Sequence, residues 1–223
     1  MVKSSAISGK FDAKKKSMQP KDFPNIIFDL GGVILNLDIS RTIKAFSEVS
    51  GRDFAQWYTQ HKQKALFDAF EIGQISPDDF RNALRTELET PLSDAEIDRC
   101  WNAMLLDLPP ERVQLLARLK QQKRTFLLSN TNAIHKAAFD KIIENQHGIS
   151  SLGCLFEQDY YSHLLKMRKP NEEVFHYILE THGLRAEETL FVDDSLQHIE
   201  GAKKVGLHAI HMTGETDIIR IFS

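Results

Sequence analysis

Short runs of apolar residues recur along the chain, at residues 24–28, 126–128, 190–192 and 207–211. The first ends at Asp29, and the next two also end at polar residues. Runs of this length that are apolar throughout are typical of strands covered on both faces. The pattern therefore predicts four short strands of a parallel sheet.

Helical spacing of apolar residues fills the intervals between these runs. The pattern is helical from about residue 40 to residue 108, with serines that start two of the predicted helices, Ser76 before Pro77 and Ser93 before a capping-box glutamate. Further helices are predicted at residues 113–119, 133–144, 173–180 and 199–205, which alternate with the later strands.

Strands that alternate with helices predict an α/β fold, a doubly wound, Rossmann-like parallel sheet. The long helical block follows the first strand and reads as an inserted all-helical cap. We expect an N-terminal tail at 1–22, an α/β core at 23–37 and 109–223, and a helical cap at 38–108. Residues 35–39 and 106–109 are the predicted hinges.

Composition narrows the function classes. The 223 residues carry a net charge of −3, which argues against a nucleic-acid partner. No apolar run approaches the roughly 20 residues of a membrane helix. Two cysteines far apart argue against a disulfide scaffold and favour a reducing, cytoplasmic setting. The lysine-rich tail reads as a solvated segment, with an arm for an anionic partner as the alternative.

Polar groups follow three of the predicted strands: Asp29, the pair Ser129 and Asn130, and the pair Asp193 and Asp194. Ligands of open α/β sheets bind beyond the carboxyl ends of the strands, so these groups are expected to form one site. Clustered carboxylates need a cation, and Mg²⁺ prefers oxygen ligands and bridges carboxylates to phosphate. A fourth group, Lys169 in a loop before a helix, supplies a positive charge for a phosphoryl group.

Four segments in this order closely resemble the motifs of the haloacid dehalogenase-like hydrolase superfamily. They are Phe-Asp-Leu-Gly-Gly-Val at 28–33, Leu-Ser-Asn-Thr at 128–131, Arg-Lys-Pro at 168–170 and Phe-Val-Asp-Asp-Ser at 191–195. The placement of the cap resembles one cap class of that family.

The resemblance implies a Mg²⁺-dependent phosphatase that acts on a small phosphorylated metabolite. It implies that Asp29 is the nucleophile, that Ser129 and Asn130 bind phosphate, and that Lys169 stabilises the nucleophile and the phosphoryl group. It further implies a metal held by Asp29, the Gly31 carbonyl and Asp194, with Asp193 acting through water.

The chain departs from the family pattern at Gly31, where phosphatases of the family usually carry a second aspartate that moves protons. General acid–base help is worth about 10²–10⁴-fold in rate. A leaving group that needs little protonation, a substitute acid from water or the cap, or a weakly active relative would each account for the glycine. The first motif also resembles that of bacterial sugar-phosphate phosphatases, which favours a glucose-1-phosphate-type substrate.

Other functions remain open at this stage. A haloacid dehalogenase needs no proton donor, but it also needs no metal, which leaves the paired acids Asp193 and Asp194 unexplained. A non-catalytic binding protein and a phosphosugar mutase are further alternatives. Elsewhere, His135 is expected to pack rather than react, Asp38 to cap a helix or contact substrate near the hinge, and Trp101 to belong to the cap core.

Overall fold

The computed structural model describes residues 19–58, 64–214 and 217–223. Its centre is a five-stranded, wholly parallel sheet in the order β3-β2-β1-β4-β5. The strands are β1 (Asn25–Phe28), β2 (Arg124–Ser129), β3 (Gln158–Tyr161), β4 (Thr189–Asp193) and β5 (His208–His211). The predicted α/β class and parallel sheet are confirmed.

Helices cover both faces of the sheet. They are α6 (Pro110–Gln122), α7 (Ala133–His147), α8 (Ser162–Leu165), α9 (Glu172–His182), α10 (Leu196–Lys204) and α11 (Ile218–Ile221). Alternate β1 side chains point to opposite faces, as strand geometry requires. Ile26 and Phe28 pack in one buried cluster with residues of α6, α7 and α11. Ile27 packs in a second cluster with residues of α9 and α10.

The described residues between β1 and α6 contain five helices, which form an insertion. They are α1 (Ile39–Ser50), α2 (Phe54–Trp57), α3 (Lys64–Glu71), α4 (Pro77–Leu88) and α5 (Asp94–Asn102). Ser76 and Ser93 start α4 and α5 with capping boxes, as their sequences predict. A third buried cluster, rich in phenylalanine, holds these helices together. This cluster belongs mainly to the insertion and reaches the α/β core at Ile134 of α7.

The two connections between insertion and sheet lie side by side. Leu37 and Leu105 form an antiparallel bridge. The Asn36 N–H donates to Asp107 O at 2.9 Å, and the Leu106 N–H donates back to Asn36 O at 3.0 Å. The chain therefore enters and leaves the insertion through one short, hydrogen-bonded pair of segments.

The structure contains a strand that the apolar runs do not predict, β3. Its sequence, Gln-Asp-Tyr-Tyr, is polar at its start, and the strand lies at the sheet edge beside β2 alone. An edge strand does not need the continuous apolar pattern of a central one. Pro20–Asp22 forms a short 3-10 turn, while residues 1–18 of the predicted tail lie outside the described residues. Among the described helices, none combines the length and apolar character of a membrane span.

Candidate active site

Three neighbouring strands end at the predicted site residues. Asp29 directly follows β1, Ser129 ends β2 and Asp193 ends β4. In the pairing of the strands, Phe28 lies opposite Leu127 on one side and Val192 on the other. The residues that follow therefore come together at one edge of the sheet, where open α/β folds bind their ligands.

Lys169 lies between two of these strand ends and is completely buried. Its ammonium donates to Asp29 Oδ1 at 2.5 Å, to Asp193 Oδ2 at 2.7 Å and to the Leu128 carbonyl at 2.8 Å. These bonds occupy all the donors that an ammonium has. Although burial opposes its charge, the two carboxylates raise the pKa of Lys169 above its ordinary value.

Asp29, Asp193 and Asp194 form a carboxylate cluster in which one oxygen of each lies within 4.8 Å of the others. Burial and the charges of its two neighbours raise the pKa of Asp29, although Lys169 opposes the shift. Burial and Asp193 likewise raise the pKa of Asp194. One lysine does not neutralise three carboxylates, so a hard divalent cation such as Mg²⁺, which takes oxygen ligands, fits this cluster.

Gly32 makes room for Asp194. Its φ is +71°, and a Cβ at this position would lie 2.2 Å from Asp194 Oδ2. Any other residue would meet both the steric cost of a positive φ and a clash with the carboxylate. The second glycine of the first motif thus sets how closely the backbone approaches the cluster.

Asp193 is held by partners on several sides. Besides Lys169, it accepts a hydrogen bond from the Ser195 N–H at 2.7 Å, and the His198 ring lies 3.0 Å from both its oxygens. Burial alone would raise the pKa of Asp193, but Lys169 and His198 lower it. The sequence does not single out His198, because only the structure shows that the first turn of α10 places its ring beside Asp193.

The two residues of the second motif behave differently. Ser129 is buried, and its hydroxyl makes no hydrogen bond to any described residue. The Asn130 side chain binds the loop of Lys169, since it donates to Lys169 O at 2.9 Å and accepts from Lys169 N at 3.0 Å. The side chain of this predicted phosphate-binding residue therefore fixes the loop that carries the lysine.

A cavity of about 260 Å³ lies between the sheet edge and the helical insertion. Gly31, Ser129 and Asn130 line its floor. A Cβ at Gly31 would lie 2.5 Å from Leu37 Cδ1, so Leu37 occupies the space that an acidic side chain would need there. The floor of the cavity has no ionisable side chain at residue 31.

Charged groups line the opposite wall. Arg168, next to Lys169, pairs with Asp68 and with Glu71 of α3, the latter at 2.8 Å. The Ser162 hydroxyl lies 2.6 Å from Glu71 O and accepts the Thr131 N–H at 2.9 Å. These contacts join the insertion to the core over the site. The sequence shows Arg168 only as part of a motif, and it gives no sign of Asp68 or Glu71.

The remaining candidates have packing roles. His135 stacks on Trp101 with ring centroids 4.9 Å apart, and its Nδ1 lies 2.9 Å from Asn102 Oδ1. Burial lowers the pKa of His135 to about 3, so its ring is neutral. Asp38 caps α1 by accepting from the Ser40 N–H. The rings of His135 and Trp101 also line the cavity.

Similar proteins have been characterised. A D-ribitol-5-phosphate phosphatase of Bacteroides thetaiotaomicron is 26% identical over 193 residues, which cover 86% of this chain and 93% of that protein. A sesquiterpene phosphatase of Aspergillus oryzae is 26% identical over 196 residues, 86% and 90% of the two chains.

A solved structure is also similar, that of an Asp-to-Ala variant of a haloacid dehalogenase-like enzyme from Bacteroides thetaiotaomicron in complex with magnesium and inorganic phosphate. It has a TM-score of 0.84 and 31% identity, and the match covers 90% of this chain and 99% of that one. The profile of one family, described as haloacid dehalogenase-like hydrolase, matches residues 23–206. The chain belongs to the haloacid dehalogenase-like hydrolase family.

Proposed function

We propose that this protein is a Mg²⁺-dependent phosphate monoester hydrolase that acts on a small phosphorylated metabolite and uses Asp29 as its nucleophile. The observation that carries the proposal is the buried ammonium of Lys169 between Asp29 and Asp193, within a carboxylate cluster at the sheet edge. The similarity of this chain to phosphatases supports the same class of reaction.

Each residue has a role in this chemistry. A carboxylate oxygen of Asp29 attacks phosphorus, and the bond to the leaving oxygen breaks as the aspartyl phosphate forms. Water then hydrolyses this intermediate and frees phosphate. Lys169 orients Asp29 and offsets the charge of the phosphoryl group, while the Ser129 hydroxyl and the backbone N–H of Asn130 donate to its oxygens.

The metal site is proposed from the same cluster. Asp29, Asp194 and the Gly31 carbonyl would hold Mg²⁺ directly. Asp193, whose oxygens already accept bonds from Lys169, Ser195 and His198, would act through water. Mg²⁺ held there would supply positive charge that offsets the negative charge of the phosphoryl group beside Asp29.

The cavity supports a small polar substrate. Its volume of about 260 Å³ is near the lower end of the range for ligand pockets, which favours a small substrate. The charged groups of Asp68, Glu71 and Arg168 on one wall of the cavity would offer hydrogen bonds to the hydroxyl groups of a substrate. We therefore favour a sugar or polyol phosphate, with glucose 1-phosphate and ribitol 5-phosphate as the first compounds to test.

The insertion, residues 38–108, is proposed to act as a mobile cap, with hinges at 35–39 and 106–109. The paired segments that join the insertion to the core support these hinge positions. The contact of Arg168 with α3 supports a position of the insertion over the site. Closure of such a cap excludes water and completes the site. A cytoplasmic location is also proposed, because Cys100 and Cys154 are both free thiols.

Phosphate release from a panel of phosphorylated metabolites, with Mg²⁺ and with EDTA, tests the function. We expect turnover of at least one sugar or polyol phosphate that requires Mg²⁺ and is lost in Asp29→Asn. Equal rates for the variant and the wild type would remove Asp29 as nucleophile.

Dehalogenation is tested with the same protein. Halide release from 2-chloropropionate in the presence of EDTA would favour a dehalogenase. We expect none, because the carboxylate cluster requires a cation that halide displacement does not use.

A further inference from the structure

Hydrolysis of an alkyl phosphate ester needs a proton for the departing alcohol oxygen. The residues at the floor of the site do not supply one. Lys169 uses its three donors on Asp29, Asp193 and the Leu128 carbonyl. Gly31 has no side chain. Among the residues that line the cavity, a proton donor must therefore come from another wall.

The ionisable side chains on those walls, within the described residues, are Tyr58, Asp68, Glu71, His135 and Arg168. The buried, neutral ring of His135 stays unprotonated near neutral pH, because burial lowers its pKa to about 3. Arg168 does not lose its proton in proteins. The pKa of the Tyr58 hydroxyl is raised by burial and by Glu71, which makes it a poor acid. Asp68 and Glu71 remain.

Glu71 is the better placed of the two carboxyls. It is the last residue of α3, and its carbonyl is joined through the Ser162 hydroxyl to the Thr131 N–H, at 2.6 and 2.9 Å. Thr131 lies two residues after Ser129, so Glu71 is fixed over the loop proposed to bind phosphate. Its Oε2 receives Arg168, whereas Oε1 has no hydrogen-bond partner among the described residues.

The surroundings of Glu71 raise its pKa. Burial and the neighbouring Asp68 raise the pKa of Glu71, and the effect exceeds the opposing charges of Arg168 and Lys169. The neutral Tyr58 hydroxyl faces it from the end of α2. A general acid works best when its pKa lies near the operating pH, so this direction of shift suits proton donation.

We propose that Glu71 is the proton donor of this enzyme, a catalytic residue supplied by the insertion. As the phosphorus–oxygen bond breaks and Asp29 takes the phosphoryl group, the Glu71 proton passes to the leaving oxygen. In the second step, water attacks the aspartyl phosphate and returns a proton to Glu71. The inference rests on the proposed phosphatase function.

Two substrates of similar shape test the proposal, because they differ in their need for an acid. 4-Nitrophenyl phosphate has an acidic leaving group and benzyl phosphate does not. Glu71→Gln is expected to lower kcat/KM for benzyl phosphate by about 10²–10⁴-fold and that for 4-nitrophenyl phosphate far less. The wild-type alkaline decline in kcat/KM for benzyl phosphate should also be absent from the variant.

Asp68→Asn is the matched control, since it removes the other carboxylate that pairs with Arg168. Asp68→Asn should change kcat/KM for benzyl phosphate and kcat/KM for 4-nitrophenyl phosphate by similar factors. Equal losses on both substrates for Glu71→Gln, or a selective loss only for Asp68→Asn, would overturn the proposal. Failure of the phosphatase function is distinguishable, because the wild type would then hydrolyse neither ester, or Asp29→Asn would match it.

Discussion

The ammonium of Lys169 lies 2.5 Å from the carboxylate of Asp29 in a position with no exposed surface. Lys169→Met would leave Asp29 and Asp193 buried without their counter-ion. Removing one partner of a buried pair costs about 3–5 kcal/mol. We expect a loss of that size in the free energy of unfolding in urea with EDTA, together with loss of phosphatase activity.

Lys120→Met is the control for this change, because Lys120 is exposed and donates to the Cys154 carbonyl at the protein surface. Its unfolding free energy should change by less than about 0.5 kcal/mol. Similar losses in the two variants would contradict the structural weight given to Lys169.

Gly32→Ala tests the metal site without touching a carboxylate. The new Cβ would displace Asp194 Oδ2. Changes to the groups that orient metal ligands typically lower metal affinity by about 10–100-fold. We expect Mg²⁺ binding, measured by calorimetry, to weaken by at least about tenfold. Gly148→Ala has a similar φ of +66° and open space for the Cβ, so it should lose stability but keep its Mg²⁺ affinity.

Arg168→Met tests whether the contact with α3 holds the insertion closed. The variant loses bonds to Asp68 and Glu71, worth about 1–2 kcal/mol at this partial exposure. We expect a rise in KM of about 5–30-fold and faster amide hydrogen exchange in α3.

Arg85→Met provides the comparison, because Arg85 bonds Leu92 and Asp94 within the insertion. Its KM should stay near that of the wild type. If both variants raised KM equally, the Arg168 contacts would have no special part in closure.

His135 should make the protein less stable in acid. Its folded pKa of about 3 lies below the ordinary value of 6.5, so between these values the unfolded chain binds a proton that the folded chain does not. The contribution of neutral His135 to the free energy of unfolding is fully present above pH 6.5. Below that pH it falls by up to about 1.4 kcal/mol per pH unit.

His135→Phe keeps a ring beside Trp101 but removes the titration. The free energy of unfolding between pH 6.5 and 4.5 should therefore depend less steeply on pH in the variant than in the wild type. Parallel curves would show that His135 does not titrate as its burial requires.

Most of the fold follows from the sequence because its signals are local. Buried central strands need continuous apolar runs, and α4 and α5 begin at serines that cap them. β3 escapes prediction because an edge strand pairs on one side only and tolerates polar residues.

The candidate site divides in the same way. Asp29, Ser129 and Asp193 are predictable because strand ends of a parallel sheet meet at one edge. Asp68 and Glu71 are not, since their relation to Arg168 depends on how the insertion docks. The sequence predicts Asn130 as a residue of the candidate site, but not that its side-chain amide binds the Lys169 backbone.

The bridge between Leu37 and Leu105 brings both ends of the insertion to one point. An exchangeable module needs such an arrangement, because its replacement leaves the rest of the chain path undisturbed. Recombination could thus supply a new set of substrate contacts in one event while the phosphate chemistry of the sheet persists. If Glu71 is the proton donor, however, such an exchange would replace part of the reaction machinery along with the recognition surface.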